Sequence, residues 1–405
     1  MLQCEFLSSA LWRDVVAEKR LTIEDIARLA GVSKATVSRV LNGKPDVDPA
    51  TRARIRHLME EQRYVPSATA TNLAGGRSHL IGMLVRSYTW LFVPEIMRAV
   101  ADLIDRTIYE LVLYRMNDQL PNDDGIPALN RLLVTDLTAA VLGVFPGPAS
   151  VQLAALSRNG VPVAVIDDQY DPMELSWGDL PVPWITCENK LGSYEAVRHL
   201  IGHGHQRIAH IQGPLRWVCA RERYEGYCQA MEEAGLAVDP LLVRQGDFTT
   251  ATGYAAAEQL FSLPKEQRPT AIFASSDLMA YGVLAAARKY DLSIPGDIAL
   301  VGFDDLAGMA ESPVVIAPGE LPLTTVRQPF NEMGQSAMEL LFSLLEVPFA
   351  TGYRSPSRWP FMSETSAAFK EAIQSQKGVV YLRLPVTLTV RDSCGCGTSI
   401  ARTAS

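Results

Sequence analysis

The sequence predicts an α/β protein in which a small three-helix domain precedes a two-lobed body of doubly wound parallel sheets. Near the N-terminus, three short amphipathic patterns are separated by tight turns, as in a compact helical domain. From Leu80 onward, short apolar runs alternate with longer amphipathic stretches, which is typical of parallel sheets covered by helices on both faces. About 300 residues of this alternation are enough for two lobes.

The helical domain carries clear start and stop signals. Thr22 is a good N-cap for the first helix, and Asp25 at the third helical position completes a capping box. Ser33 caps the second helix, and Asp48-Pro49 begins the third. The first two helices are joined only by Gly31-Val32, as in a helix-turn-helix, whose second helix lies in the DNA major groove.

Residues 67–74 predict a linker, because they lie between Pro66 and Gly75-Gly76 and are too short for a stable helix alone. We expect the linker to become helical on binding. In the body, the short apolar runs predict the strands Leu80–Val85, Leu111–Tyr114, Ala139–Val144, Val161–Ile166, Ile208–Gln212, Ala271–Ala274, Ile298–Val301 and a last strand Val379–Val390. Ligands of such sheets bind at the carboxyl ends of the strands, in a cleft between the lobes.

The expected domain organisation follows from these patterns. It comprises an extension (1–20), a helix-turn-helix domain (21–66), a linker (67–78), a body of two lobes (79–392) with a surface insertion (347–378), and a tail (393–405).

Charge is distributed unevenly along the chain. Residues 1–77 carry 12 basic and 9 acidic side chains, whereas residues 78–405 carry 25 and 36. A basic head on an acidic body is typical of a nucleic-acid-binding domain joined to a small-molecule-binding one. No apolar run reaches the ~18 residues of a membrane helix, and the first twenty residues lack the apolar core of a signal peptide. We therefore expect a cytoplasmic protein without a membrane partner.

Cysteine and histidine patterns predict neither disulfides nor a metal site. The six cysteines have no repeated spacing, which favours reduced thiols: Cys4, Cys187, Cys219, Cys228, Cys394 and Cys396. No second cysteine pair or histidine lies near Cys394-Gly395-Cys396 in the sequence, so we expect an inert tail there. The densest histidine group is expected to serve turns and capping: His199, His203, His205 and His210. No cofactor is expected.

The segment from Leu21 to Gly43, LTIEDIARLAGVSKATVSRVLNG, closely resembles the DNA-binding head of the lactose/galactose repressor family. Tyr64-Val65-Pro66 and Asn72-Leu73-Ala74 follow in the same order. The resemblance continues through 202–211 (GHGHQRIAHI), Ser276-Asp277, 301–305 (VGFDD) and 323–329 (LTTVRQP). It covers roughly residues 21–392, except for the insertion, and implies a type I periplasmic-binding-protein-like body in a ligand-controlled transcription regulator.

The recognition helix supplies the expected DNA contacts. Side chains near its start that can reach base edges are Lys34, Ala35 and Arg39. Those better suited to phosphate contacts are Thr22, Ser33, Thr36, Ser38 and Asn42. A capping role for Thr22 and Ser33 is compatible with this, because a helix N-terminus attracts phosphate. The resemblance implies that Leu73 wedges into the minor groove from a hinge helix. The alternative is that Leu73 packs on the lobe below.

The effector cleft should combine polar groups with an aromatic wall, because a sugar offers paired hydroxyls and apolar faces. The resemblance implies that Arg223 holds the ligand, Asp304 accepts its hydroxyls and Phe248 forms the wall. Three further candidates lie in loops after strands: Tyr88, Trp90 and Asp277. The alternative for Arg223 is a salt bridge to a neighbouring acid, and structural roles remain open for the three loop residues.

These features exclude other classes. The sequence contains no phosphate-binding glycine loop and no Gly-x-Ser-x-Gly elbow, so we do not expect an enzyme. A free sugar-transport protein would need a signal peptide and no helix-turn-helix. We expect a repressor of carbohydrate-utilisation genes that binds palindromic operator DNA as a homodimer, with a sugar in the cleft. A nucleobase or another metabolite is the alternative effector.

Overall fold

The computed structural model describes residues 21–41, 44–62, 64, 78–87, 90–116, 138–170, 182–309, 321–345 and 380–396. The chain divides into two compact units, residues 1–79 and 80–405. The extension 1–20, the linker residues 67–74 and the insertion 347–378 lie outside the described residues. Among the described residues, no helix is both long and apolar enough to span a bilayer.

The first unit contains the three predicted helices, α1 (Ile23–Ala30), α2 (Lys34–Leu41) and α3 (Pro49–Glu61). The predicted capping box of α1 is confirmed, since Thr22 Oγ1 accepts from the Asp25 amide at 3.3 Å and Asp25 Oδ2 accepts from the Thr22 amide at 2.9 Å. The helices share one small apolar core, formed by Ile26, Ala27, Ala30, Val37, Val40, Val47 and Ile55.

The turn between α1 and α2 has the conformation that the glycine predicts. Gly31 adopts a left-handed backbone with φ 63°, and its amide bonds back to the end of α1. Only glycine adopts this conformation without steric cost, so the chain can reverse within two residues. The Ser33 hydroxyl then accepts from the Thr36 amide at 3.1 Å and caps α2.

The second unit contains two six-stranded sheets. The strands are β1 (Leu80–Val85), β2 (Glu110–Arg115), β3 (Thr138–Val144), β4 (Val163–Ile166), β5 (Pro183–Cys187), β6 (Ile208–Gln212), β7 (Val243–Gln245), β8 (Ala271–Ala274), β9 (Ala299–Asp304), β10 (Thr324–Arg327), β11 (Val380–Leu384) and β12 (Thr387–Thr389). Lobe 1 has the strand order β11-β5-β4-β3-β1-β2, and lobe 2 has the order β12-β10-β9-β8-β6-β7. All neighbouring strands are parallel except the β10–β12 pair.

Helices cover both sheets, as the doubly wound pattern predicts. They are α4 (Val93–Ile104), α5 (Ser150–Arg158), α6 (Asn189–Gly202), α7 (Val218–Glu233), α8 (Thr250–Phe261), α9 (Asp277–Lys289) and α10 (Phe330–Leu344). Apolar strand faces meet the helices in the cores; in lobe 1, for example, Met83, Ile96 and Met333 come from β1, α4 and α10 and are fully buried.

The structure corrects the last predicted strand. Residues Val379–Val390 do not form one strand, because β11 ends at Leu384 in lobe 1 and β12 begins at Thr387 in lobe 2. Pro385 lies between them and lacks the amide that a ladder bond requires. Three strands were not predicted from the sequence: β5, β7 and β10.

The start of the predicted tail also belongs to the body. Asp392–Cys394 forms a turn of 3-10 helix, and Ser393 is fully buried. The Ser393 hydroxyl donates to the Leu300 carbonyl at 2.7 Å and accepts from the Thr324 amide at 2.8 Å. Residues 393–396 are therefore packed on the sheet of lobe 2.

Within the described residues, the chain passes from one lobe to the other at three places. The crossings follow β5 at Glu188, β10 at Gln328-Pro329 and β11 at Pro385-Val386. The Glu188 amide donates to the Leu384 carbonyl at 2.9 Å, so the first and third crossings are directly joined. The crossings connect the lobes as a hinge beside the ends of the strands.

Candidate functional site

The outer face of α2 presents the side chains predicted to contact DNA. Those exposed to solvent are Ser33, Lys34, Ala35 and Arg39, while Thr36 and Ser38 are half-buried. Val37 and Val40 point into the core from the opposite side. The helix therefore offers a polar, cationic surface of the kind that enters a major groove. Asn42 lies outside the described residues.

Both cations of this face are paired with carboxylates. Lys34 Nζ lies 2.8 Å from Glu24 Oε1, and Arg39 Nε lies 3.4 Å from Asp46 Oδ2. The four side chains are more than half exposed. Such pairs contribute about 0–1 kcal/mol and are screened by salt. The cations can therefore exchange these partners for phosphates or base edges at small cost.

The predicted phosphate contacts at the helix starts coincide with caps. Thr22 is exposed and takes part in the capping box of α1, and Ser33 is exposed at the start of α2. Leu73 of the predicted hinge lies outside the described residues.

A cavity of about 320 Å³ lies between the lobes at the carboxyl ends of their strands. This volume is at the lower end of the range for small-molecule sites, about 300–1,000 Å³. Its lining combines aromatic rings with charged and amide groups: Arg86, Trp90, Leu91, Phe92, Phe145, Arg216, Trp217, Cys219, Arg223, Asp247, Phe248, Thr249, Ser276, Leu278, Asp304, Leu306, Gln328 and Phe330.

Arg223 is the central polar group of the cleft. It projects from α7, is only 4% exposed, and stacks 3.8 Å over the Phe303 ring centroid. Its Nε donates to Asn189 Oδ1 at 2.9 Å, and an Nη donates to the Ser275 carbonyl at 2.7 Å. The guanidinium is thus fixed in position while it lines the cavity.

Asp304 lies beside Arg223 and also lines the cavity. Its Oδ1 lies 3.6 Å from an Nη of Arg223 and accepts from Gln328 Nε2 at 2.5 Å. Burial raises the pKa of Asp304 to about 6, although the Arg223 guanidinium and the Gln328 amide oppose the rise. The predicted ligand-binding pair and the alternative salt bridge therefore involve the same two residues.

Aromatic rings from both lobes form one side of the cavity. Trp90 and Phe145 lie 5.7 Å apart in an edge-to-face arrangement, and Phe145 meets Trp217 at the same distance. Phe248 packs against Trp217 and lies directly over Gly213, where any Cβ would collide with its ring. Such a wall suits the apolar faces of a sugar or the plane of a base.

Asp277 lies behind the cavity rather than among its lining residues. Its Oδ1 accepts from Thr325 Oγ1 at 2.6 Å and its Oδ2 from the Leu306 amide at 2.9 Å. Burial and the nearby Asp304 carboxyl raise the pKa of Asp277 well above its usual value. Asp277 is thus placed to fix the loop that carries Asp304. Tyr88 lies outside the described residues.

Several cavity residues were missed by sequence reasoning. Phe145 follows β3, Trp217 precedes α7, and Gln328 follows β10. The available signal was position, because each lies just beyond the carboxyl end of a strand, in the segment that leads to the next helix. Their residue types alone do not separate them from core aromatics and surface amides.

The lobes also touch outside the cavity. Arg383 of β11 forms an ion pair with Glu222 of α7 at 2.7 Å, and the Val218 amide donates to the Asp168 carbonyl at 3.2 Å. These contacts join lobe 1 to the helix that carries Arg223. The structure therefore shows the lobes in contact around the cavity.

The four clustered histidines have different surroundings. His210 is fully buried, lies 5.0 Å from the Phe273 ring, and bonds the Phe273 carbonyl through Nδ1 at 3.1 Å. Burial lowers the pKa of His210 to about 3, so its ring is neutral. His205 Nδ1 lies 3.0 Å from Thr270 Oγ1. His199 and His203 meet at the end of α6 with ring centroids 4.7 Å apart.

Comparison with known proteins agrees with this architecture. Residues 22–67 match the model described as bacterial regulatory proteins, lacI family, and residues 197–357 match the periplasmic binding protein-like domain. The chain is 35% identical to the ribose operon repressor of Escherichia coli (strain K12) over 81% of its own length and 94% of that protein. It belongs to the lacI family of bacterial regulatory proteins. Like its relatives, this lacI-family chain is a DNA-binding transcriptional regulator and not an enzyme.

Solved structures share the fold over nearly the whole chain. A lac repressor dimer bound to operator and the anti-inducer ONPF is 27% identical, with a TM-score of 0.70, covering 93% of this chain and 99% of that one. A complex of the transcriptional regulator CelR with cellobiose is 28% identical, with a TM-score of 0.60, covering 92% and 100%. The lacI-family fold thus accounts for both the helix-turn-helix head and the two-lobed body.

Proposed function

We propose that this lacI-family regulator is a cytoplasmic repressor that binds a sugar in its inter-lobe cleft and a palindromic operator as a homodimer. The observation that carries the effector proposal is the largely buried pair Arg223 and Asp304 beside an aromatic wall in the cavity between the lobes. The relatives named for the ribose operon and for cellobiose support a carbohydrate.

The chemistry of the cleft suits a polyhydroxy ligand. An ionised Asp304 accepts hydrogen bonds from two adjacent hydroxyls, while Arg223 donates to ring or hydroxyl oxygens. The aromatic wall of Trp90, Trp217 and Phe248 stacks on the apolar C–H face of a pyranose or furanose. Two of the five guanidinium donors are used by Asn189 and Ser275, so Arg223 meets the ligand in a fixed orientation.

The same contacts link the ligand to the crossings between the lobes. Arg223 bonds Asn189 beside the first crossing, and Asp304 bonds Gln328 at the second. A ligand that changes the charge balance of the pair therefore changes the bonds that hold the crossings. Closure of the lobes alters the separation of the two linkers in a dimer, and a coupling of about 1–3 kcal/mol is enough for regulation.

DNA binding is proposed for the exposed face of α2. Lys34, Ala35 and Arg39 contact base edges, while Ser33 and Thr36 contact phosphates. Thr22, Ser38 and Asn42 also contact phosphates, and Leu73 wedges into the minor groove. One such helix contacts only a half-site, so specific binding needs two heads, joined by pairing of the effector bodies.

A nucleoside is the second candidate effector. The cavity is lined by rings from both lobes, such as Trp90 of lobe 1 and Trp217 of lobe 2. A planar base stacks on such rings, and its ribose still offers hydroxyls to Asp304. This candidate changes the ligand but leaves the same residues at the site.

Calorimetric titration of the full chain with a panel of monosaccharides, disaccharides and nucleosides tests the proposal. A sugar should bind with about one site per chain and change operator affinity measured by fluorescence anisotropy. Asp304→Asn should weaken binding, whereas Glu258→Gln, which removes a carboxylate paired with Lys289 away from the cavity lining, should not. Binding of nucleosides alone favours the second candidate, and unchanged binding by Asp304→Asn contradicts the site.

A further inference from the structure

Four metal-ligating side chains lie close together in lobe 2, and none of them is among the residues that line the cavity. This Cys–His cluster consists of His199, His203, Cys394 and Cys396. Cys396 Sγ lies 3.0 Å from the Nε2 atoms of both histidines and 2.7 Å from Cys394 Sγ. The ligand atoms of His199, His203 and Cys396 all lie within 4.8 Å of one another.

The fold, rather than sequence proximity, brings these groups together. Cys396 is 197 and 193 positions away from the two histidines, so no sequence spacing connects them. His199 and His203 are four residues apart at the end of α6 and therefore project from the same side of the helix. The cysteines arrive at this point because residues 393 and 394 are anchored in lobe 2.

The cysteine segment is shaped to present both thiols to the histidines. Ser393 is bonded to β9 and β10 residues, and Arg391 forms an ion pair with buried Asp305 at 2.6 Å. Gly395 then adopts a left-handed backbone with φ 81°, which turns the chain back after one residue. Cys394 is buried and Cys396 is half-buried against His199.

Two thiols and two imidazoles form the ligand set of many structural zinc sites. Sulfur and imidazole nitrogen suit zinc, whereas magnesium and calcium prefer oxygen. Tetrahedral zinc with bonds of about 2.0–2.3 Å places its ligand atoms roughly 3.3–3.8 Å apart. The contacts of Cys396 with Cys394 and with both histidines, at 2.7–3.0 Å, need to open by only about 1 Å or less. Cys394 joins the group through its contact with Cys396. His203 is exposed on the surface, which gives an ion a path of entry.

We propose that the Cys–His cluster binds one Zn²⁺ ion as a structural site. The ion clips the C-terminal segment to the end of α6. That segment supplies β11 to lobe 1 and β12 to lobe 2, so its attachment fixes the third crossing of the hinge. Because the unfolded chain does not hold these ligands together, zinc binding adds directly to the stability of the body.

The test uses the full chain, purified with a phosphine reductant and stripped with a chelator. After incubation with Zn²⁺ and gel filtration, mass spectrometry should find about one zinc per chain. Co²⁺ should give the intense visible bands of tetrahedral coordination together with a near-ultraviolet sulfur-to-cobalt charge-transfer band. Zinc should also raise the midpoint of thermal unfolding, and the chelator should reverse this rise.

Matched variants locate the ion. His203→Ala and Cys396→Ser alter side chains that are not fully buried and should abolish stoichiometric binding and the cobalt bands, with the far-ultraviolet circular dichroism retained. His205→Ala and Cys228→Ser remove a neighbouring histidine and a half-buried cysteine outside the cluster, and should bind zinc as the unaltered chain does. Zinc binding that survives both cluster substitutions overturns the proposal. So does a reduced wild-type chain that binds neither metal, or one whose Cys394 and Cys396 stay joined as a disulfide under reductant.

Discussion

Replacement of Arg223 by methionine should destabilise the body in a way that depends on pH. Methionine keeps an unbranched apolar stem, ends near the position of the arginine Nε and removes the cation. Asp304 then loses its nearest positive charge, while Asn189 Oδ1 and the Ser275 carbonyl lose their donor. Removal of one partner from a buried pair costs about 3–5 kcal/mol, so the free energy of unfolding should fall by that amount at pH 8.

The cost should be smaller at low pH. Burial already raises the pKa of Asp304 to about 6, and loss of the guanidinium raises it further. A carboxyl whose pKa is higher in the folded than in the unfolded state favours folding at pH values below both, and this contribution is lost as pH rises through the folded value. At about pH 5 the Asp304 carboxyl of the variant is protonated, so the charge penalty largely disappears and only the lost hydrogen bonds remain.

Urea unfolding followed by tryptophan fluorescence at pH 5 and pH 8 measures the difference. Arg221→Met is the matched control, because Arg221 lies on the same helix and bonds only the Leu215 and Arg216 carbonyls at the surface among its described partners. It should cost less than about 1 kcal/mol at both pH values.

Asp304→Asn supplies the second arm of the test. In the Arg223→Met background it removes the unpaired carboxyl and should recover about 1–3 kcal/mol at pH 8, so the two substitutions are not additive. A cost for Arg223→Met that is equal at the two pH values and unaffected by Asp304→Asn would refute the ion pair. Arg223 would then act on the ligand alone.

Three further outcomes are expected. Lys34→Ala should lower affinity for one operator by about 1–3 kcal/mol more than for random duplex in anisotropy titrations, with Lys265→Ala as the control in the body; an equal loss on both duplexes contradicts base contact. Effector affinity should fall as pH drops through about 6, where Asp304 takes up a proton, and calorimetry should find no such fall in Asp304→Asn. Light scattering should give about twice the chain mass of 44.3 kDa, and a value equal to one chain at micromolar concentration excludes the dimer.

Local signals made the head predictable from sequence. The capping box of Thr22 and Asp25, the left-handed Gly31 and the cap at Ser33 each involve residues within three or four positions of one another. These local interactions can therefore be predicted from short stretches of sequence. The apolar strands of the body were predictable for a related reason, since parallel strands buried on both faces form continuous apolar runs.

The strands that were not predicted show where local sequence patterns are insufficient. β10, Thr324–Arg327, contains two threonines and an arginine, yet Thr324 and Thr325 are fully buried and each hydroxyl donates a hydrogen bond inside lobe 2. β11 and β12 form a continuous β-like pattern that only the three-dimensional fold divides between two sheets. In both cases tertiary contacts overrule the local pattern.

The candidate sites were predictable to different degrees for the same physical reason. Arg223, Asp304, Phe248 and Trp90 were expected in the cleft and line it, whereas Phe145 and Trp217 were not expected there. Phe145 reaches the cavity with a backbone φ of 49°, a conformation that no local sequence signal indicates for phenylalanine. The Cys–His cluster joins two segments that are about 195 positions apart in the sequence and meet only in the folded lobe 2.

The three crossings between the lobes connect these separate observations. Arg223 bonds Asn189 at the first crossing, Asp304 bonds Gln328 at the second, and Gln328 Oε1 also accepts from the Cys187 thiol at 3.2 Å, at the end of β5. The third crossing is joined to the first through the Glu188 amide and leads to the segment held by the Cys–His cluster. A ligand that bonds Asp304 competes with Gln328 for the same carboxylate and so changes the second crossing directly. Because coupling between two binding sites is reciprocal, operator binding must change effector affinity by the same factor by which the effector changes operator affinity.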